Sequence, residues 1–158
     1  METTRNYGRT AARFAAVQAL FQIYSRKEMP VETVLIEFFS DRFTKEHHYA
    51  LFDEIEESID TNHFMQLVRG VCKVKKTLDH DIEHQLPTTW TLNRLELSTY
   101  CVLQCGAFEL TYLSDIPTPA ILNEYVDVAH GFLMDKGYAF VNAVLQAIAL
   151  VRRPQIPT

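Results

Sequence analysis

The chain has 158 residues, 47% of them hydrophobic and 22% charged, and its formal net charge is −5. This length and composition predict a single folded domain spanning residues 1–158 and exclude an intrinsically disordered chain. The polar start METTRNYGRT and the lack of a long apolar run predict neither a signal peptide nor a membrane span, so we expect a cytoplasmic protein.

The charges are distributed unevenly along the chain. Residues 1–26 hold four arginines and one acidic residue, net +3, whereas residues 28–60 hold ten acidic residues and two basic ones, net −8. The negative net charge argues against binding of nucleic acid by the whole protein surface. The excess of arginine in residues 1–26 predicts a local basic site instead.

Periodic apolar residues predict an all-α fold, since no segment alternates as a strand does. Trp90 is expected to close one end of the bundle, and residues 154–158 to form a loose tail. In chain order, the predicted helices are Thr10–Arg26, Val31–Phe43, one or two amphipathic turns within 44–60, Thr61–Gln85, Leu92–Leu113, a helix beginning at Thr118-Pro119 and a last helix capped by Asp135.

Residues 92–113, LNRLELSTYCVLQCGAFELTYL, are apolar nearly all round a helical wheel. A helix of this kind belongs in the interior of a bundle, and this one would be roughly 33 Å long. Gly106 would let another backbone come close. We therefore predict a bundle of six or seven helices around this central apolar helix.

Three arginines surround the start of the first helix: Arg5 lies in a flexible basic arm of residues 1–9, and Arg9 and Arg13 follow one turn apart. Cations at a helix N-terminus oppose the helix dipole by about 0.3–1 kcal/mol each when exposed, so their placement favours a functional use. Phosphate binding is the use that guanidinium groups fit best. The alternative is a disordered basic tail.

The chain shows no pattern of residues typical of an enzyme. His80 and His84 are four residues apart, but HDIEH is not HExxH and no third metal ligand is indicated, so we expect solvated histidines. The five glycines are scattered singly, which argues against a phosphate-binding loop. We expect no catalytic residue, no cofactor and no metal, and we interpret the three cysteines as buried reduced thiols.

Three blocks of sequence, taken in order, resemble the NusB family of transcription antitermination factors. RTAARFAAVQALF at 9–21 is similar to the family's arginine-led opening, which ends in AVQALY. YCVLQCGAFEL at 100–110, with DIP at 115–117 and LNEYVDVA at 122–129, is similar to the family's VLR-x-A-x-x-EL, DIP and INEAVELA run. FVNAVL at 140–145 is similar to FVNGVL.

The resemblance implies a helical RNA-binding protein that is not an enzyme. NusB proteins pair with NusE, the ribosomal small-subunit protein that also acts in transcription. The pair binds the boxA element of nascent ribosomal RNA and helps RNA polymerase read through terminators. Some members pair with themselves through the surface that otherwise meets RNA, so the resemblance also implies a homodimer as an alternative resting form.

The resemblance also implies two sets of site residues. The RNA-contacting set has two parts. The first is the group of arginines around the start of the first helix. The second lies at the start of the last helix and consists of a cation and two aromatic rings that can stack on unpaired bases. The members of the set are Arg5, Arg9, Arg13, Lys136, Tyr138 and Phe140.

The NusE-facing set lies on the polar side of the central helix and consists of Glu96, Tyr100 and Gln104.

The chain departs from the family pattern in three places: it has fewer arginines at its start, Gln104 replaces the arginine of VLR, and Tyr125 replaces the alanine of INEA. Fewer phosphate contacts imply weaker and less salt-dependent RNA binding.

Two further functions are therefore kept open. One is a protein-interaction scaffold that has lost RNA binding and docks through its acidic segment. The other is the RNA-binding domain of a ribosomal RNA methyltransferase, which would need this chain to be a fragment.

Overall fold

The computed structural model describes residues 7–27, 29–43, 59–133 and 136–154, and this part of the chain holds seven α-helices and no strand. The all-α prediction is therefore confirmed. The helices are α1 Tyr7–Ser25, α2 Val31–Glu37, α3 Thr61–Lys73, α4 Lys75–His84, α5 Leu97–Tyr112, α6 Thr118–Phe132 and α7 Gly137–Arg152.

The chain packs as two compact units, residues 1–69 and residues 70–158. The assignment of the whole chain to one domain stays a prediction. The amphipathic turns expected within 44–60, the predicted capping residue Asp135 and most of the arm and the tail lie outside the described residues.

In the first unit, aromatic rings pack where α2 ends. The predicted helix Val31–Phe43 is α2 continued by a π-helical turn, Phe38–Arg42. The rings of Phe38, Phe39 and Phe43 lie 5.4, 6.1 and 4.9 Å from the ring of Phe64 in α3. Aromatic pairs at these separations attract one another beyond the area they bury, so this cluster ties α2 to α3.

Helix α1 is more deeply buried than a one-sided amphipathic helix would be. Every residue from Thr10 to Val17 is buried. Four of these eight residues are alanines, at 11, 12, 15 and 16. Side chains this small let neighbouring chain approach α1 on several sides.

Helix α5 is the centre of the second unit, where it packs against α4, α6 and α7. All residues from Cys101 to Leu110 are buried, which confirms the predicted central helix. The helix begins at Leu97 rather than at Leu92, because Leu92–Arg94 forms a 3-10 turn and Glu96 is extended with ψ 144°.

Gly106 of α5 allows a close approach, as expected, but the group that approaches it is a side chain. A Cβ atom built on Gly106 would lie 2.6 Å from Cδ1 of Leu145 in α7, closer than real Cβ atoms approach. The neighbour is therefore the Leu145 side chain rather than another backbone.

The predicted helix Thr61–Gln85 is two helices, because Val74 leaves helical geometry at φ −109° and ψ 24°. The hydrogen bonds continue through this residue, since its N–H donates to the Gly70 carbonyl at 3.0 Å and its own carbonyl accepts from the Leu78 N–H at 3.1 Å. A Cβ atom on Gly70 would lie 2.2 Å from Cζ of Phe108, so a glycine is required where this ring packs.

Candidate nucleic-acid interface

Arg9 lies in the first turn of α1, and its side chain is 38% exposed. Its Nε atom is 3.7 Å from Oδ2 of Asp60. The other carboxylate oxygen of Asp60 accepts the backbone N–H of His63 at 2.9 Å, the bond of an N-capping residue, and the Asp60 N–H donates to the Gly8 carbonyl at 3.0 Å. The starts of α1 and α3 are therefore joined beside a cation that reaches solvent.

The other two predicted arginines have different positions. Arg13 is 3% exposed, so direct contact with RNA would require its side chain to leave this position. Arg5 lies outside the described residues. Arg9 and Arg13 are the predicted RNA-contacting arginines that the structure describes, and of these two only Arg9 reaches the surface.

In the second unit, the start of α7 holds the other predicted RNA-contacting residues. Lys136 precedes α7 and is exposed, and its side chain makes no capping hydrogen bond. Tyr138 and Phe140 are half-buried in the first turn. A cation and two partly exposed rings therefore lie within five residues, a combination suited to phosphate and unpaired bases.

Two aromatic residues that sequence reasoning did not assign to this site contact the two rings. The imidazole of His130, at the end of α6, stacks on Tyr138 with ring centroids 4.0 Å apart and planes 22° apart. The indole of Trp90 lies 6.2 Å from the ring of Phe140. Trp90 is 42% exposed, so it does not close the end of the bundle as expected. The start of α7 thus has an aromatic neighbour from each of two other segments.

The predicted NusE-facing residues do not form one exposed surface. Glu96 is exposed, Tyr100 is half-buried and Gln104 is completely buried. The hydroxyl of Tyr100 donates to Oδ1 of Asp79 at 2.5 Å and accepts from Nε2 of Gln104 at 2.7 Å. Lys75 holds the other carboxylate oxygen of Asp79 at 2.8 Å. Gln104 therefore orients Tyr100 from inside, and Asp79, which sequence reasoning did not assign to this set, accepts hydrogen bonds from both residues.

The described residues have their metal-ligating side chains dispersed. They contain no group of three or more His, Cys, Asp or Glu side chains that could hold a metal ion, and no helix among them is long and apolar enough to cross a membrane. Burial raises the pKa of the Cys101 thiol to about 12 and raises the pKa of the Cys72 thiol as well. Both thiols are therefore protonated, weak nucleophiles at neutral pH.

A sequence model of the NusB family matches residues 10–150. The chain belongs to the NusB family. The transcription antitermination protein NusB of Caulobacter vibrioides is 38% identical over 149 residues, which cover 94% of this chain and 97% of that protein. The NusB protein of Sphingopyxis alaskensis is 34% identical over 145 residues, which cover 91% and 93% of the two chains.

Solved NusB structures have the same fold. T. maritima NusB superposes with a TM-score of 0.76 at 25% identity, covering 98% of this chain and 96% of that one. A crystal structure of antitermination factors NusB and NusE in complex with dsRNA gives a TM-score of 0.72 at 22% identity, covering 93% and 99% of the two chains. These matches confirm the predicted NusB-like bundle.

Within the NusB fold, one signal could have found the missed ring contacts. His130 lies in the last turn of α6 and Tyr138 in the first turn of α7, so the two residues are close in sequence on either side of a short connection. Trp90 carries no such signal, because it lies in the connection before α5, far in sequence from α7.

Proposed function

We propose that this chain is an RNA-binding transcription antitermination factor that acts with NusE on the boxA-type leader of ribosomal RNA. The observation that carries the proposal is its 38% identity over 94% of its length to a curated transcription antitermination protein. A solved structure of the same fold, named as NusB and NusE in complex with dsRNA, supports both partners. The protein would work within the antitermination complex of RNA polymerase.

Arg9 is the proposed phosphate contact of the first unit. Its side chain is partly exposed, and guanidinium groups bind phosphate with charge-assisted hydrogen bonds. Arg13 is proposed to support α1 rather than touch RNA, because its side chain is buried. Arg5 keeps its proposed role from the family resemblance.

The start of α7 is the proposed base-contacting site. Tyr138 and Phe140 can each present part of a ring to an unpaired base, and Lys136 can meet the adjoining phosphate. Stacking of this kind needs bases that are not held in a helix, so we expect single-stranded RNA to bind more tightly than a duplex of the same sequence.

The proposed NusE-facing surface is Glu96 and Tyr100, and we add Asp79 to the proposal because it accepts a hydrogen bond from Tyr100. Tyr100 and Asp79 are held in place by Lys75 and the buried Gln104, so the surface is ordered before a partner arrives. An ordered surface loses less conformational entropy when it binds.

The RNA contacts are tested by anisotropy titration of a fluorescein-labelled single-stranded boxA-type RNA against the complex with NusE. Arg9→Ala is expected to weaken binding roughly tenfold, the usual effect of losing one charge-assisted contact, and to lower the log–log salt slope by about 0.7. Phe140→Ala should weaken binding with little change in that slope. Lys76→Ala, an exposed cation of α4, is the matched control and should leave the affinity unchanged.

The NusE surface is tested separately by calorimetry with purified NusE. Glu96 makes no side-chain capping hydrogen bond, so Glu96→Ala removes a surface group without removing a helix cap. We expect weaker NusE binding for this variant and wild-type binding for Glu83→Ala, an exposed glutamate of α4. If the wild-type chain bound neither NusE nor RNA, the scaffold function would replace the proposed one.

A further inference from the structure

The ion pair between Arg9 and Asp60 concerns the same cation that the proposed function assigns to RNA. The pair is partly open to water, with 38% of the Arg9 side chain and 33% of the Asp60 side chain exposed. A phosphate that approaches Arg9 from solvent therefore meets a cation whose charge is already partly balanced by a carboxylate.

Asp60 is held in place independently of Arg9. Its Oδ1 atom accepts the His63 N–H at 2.9 Å, and its own N–H donates to the Gly8 carbonyl at 3.0 Å. These bonds place the Asp60 carboxylate beside Arg9 without any contribution from the arginine side chain.

The contact of Asp60 with Arg9 is looser than the pair that Glu32 makes with Arg69. Glu32 accepts from Nε and Nη2 of Arg69 at 2.9 Å each, a bidentate arrangement that fixes the guanidinium plane. The closest approach of Asp60 to Arg9 is 3.7 Å, beyond the length of a charge-assisted hydrogen bond. Asp60 therefore partly balances the charge of Arg9 without a short hydrogen bond to it, so a phosphate can take its place.

We infer that Asp60 competes with an RNA phosphate for Arg9 and so sets the affinity for RNA. This inference rests on the proposed function. A phosphodiester that RNA brings next to Arg9 replaces the carboxylate as its partner, while RNA that binds elsewhere leaves Arg9 paired with Asp60. Asp60 thereby discriminates in favour of RNA whose backbone reaches the start of α1.

The test is Asp60→Asn, assayed by anisotropy titration of the labelled single-stranded boxA-type RNA against the complex with NusE. Asparagine caps helices as well as aspartate does, so the bond to the His63 N–H is retained while the charge is removed. We expect the RNA dissociation constant to fall by roughly threefold at low salt, and the gain to shrink at high salt, because the pair is partly exposed. Asp60→Ser, which also retains a cap acceptor, gives the same comparison if the asparagine variant does not fold.

The control is Asp41→Asn, which removes one exposed carboxylate of the same unit and so corrects for net charge. A gain larger than that of the control, absent when Arg9→Ala is also present, supports competition. A gain no larger than the control, or weaker binding, overturns the inference while the proposed function stands, provided that Arg9→Ala alone weakens binding. Failure of the wild-type complex to bind RNA overturns the proposed function and this inference with it.

Discussion

The indole of Trp90 lies 6.2 Å from the ring of Phe140, with the two planes 37° apart. Trp90 precedes α5 and Phe140 belongs to the first turn of α7, so the contact joins two segments that are fifty residues apart in sequence. Trp90 is also the single tryptophan of the chain. Its fluorescence therefore reports on the neighbourhood of a residue proposed to meet RNA.

RNA binding should change the emission of Trp90. A base stacked beside Phe140 alters the surroundings of an indole that is 42% exposed, so we expect quenching that saturates at the RNA concentration where anisotropy saturates. Phe140→Ala should abolish the quenching at RNA concentrations that still saturate the variant. Binding seen by anisotropy without any change in emission would place the RNA away from the start of α7.

Arg153 should be a strong contributor to stability. Its guanidinium donates to the carbonyls of Glu109, Leu110 and Leu113 at 3.1, 2.8 and 2.6 Å, at the end of α5 and just after it. Carbonyls at a helix end have few partners within the helix, so Arg153 acts as a cap. Arg153→Ala should lower the free energy of unfolding by about 2–3 kcal/mol in urea titrations. Lys76→Ala, which is exposed, should change it by less than about 0.5 kcal/mol.

Tyr125 should matter for its hydroxyl group. Tyr125 and Glu109 are both completely buried, and the Tyr125 hydroxyl donates to a carboxylate oxygen of Glu109. Tyr125→Phe leaves that buried oxygen without this donor, and we expect a loss of about 1.5–3 kcal/mol in the free energy of unfolding. Tyr112→Phe removes a hydroxyl from a tyrosine that is 43% exposed and is the matched control. Equal stability of the two variants would contradict the assigned role of the pair.

Cys101 should make the protein less stable in alkali. Burial raises the pKa of its thiol from 9.0 to about 12 in the folded protein, so the folded state retains a proton that the unfolded state releases. The stability is fully present below pH 9 and is lost as the pH rises towards 12, at no more than about 1.4 kcal/mol per pH unit. Denaturant titrations between pH 8 and pH 11 should show a shallower decline for Cys101→Ala than for wild type. Parallel declines would contradict the assignment.

The sequence predicted the centre of the second unit, because a helix that is buried on all sides leaves a clear pattern. Residues 101–110 are buried as the helical wheel indicated, and the starts of α2 and α3 fall where the apolar spacing placed them. The start of α5 was wrong by five residues, since a 3-10 turn and an extended residue can carry the same apolar side chains as a helix.

The depth at which polar side chains lie was harder to predict. Arg13 and Gln104 read as surface groups in the sequence, but they are 3% and 0% exposed. A helical wheel gives the direction of a side chain and not how closely neighbours approach. Alanines 11, 12, 15 and 16 were the available signal for Arg13. Gln104 gave none, because its partner Asp79 lies on another helix, 25 residues away in sequence.

The most direct measurement is the affinity of the wild-type chain for labelled single-stranded boxA-type RNA, with and without NusE, at two salt concentrations. We predict binding that tightens when NusE is added and weakens as salt rises, with a log–log slope of about 0.7 for each phosphate neutralised. No binding at low salt in the presence of NusE would contradict the assignment of this NusB protein as an RNA-binding antitermination factor.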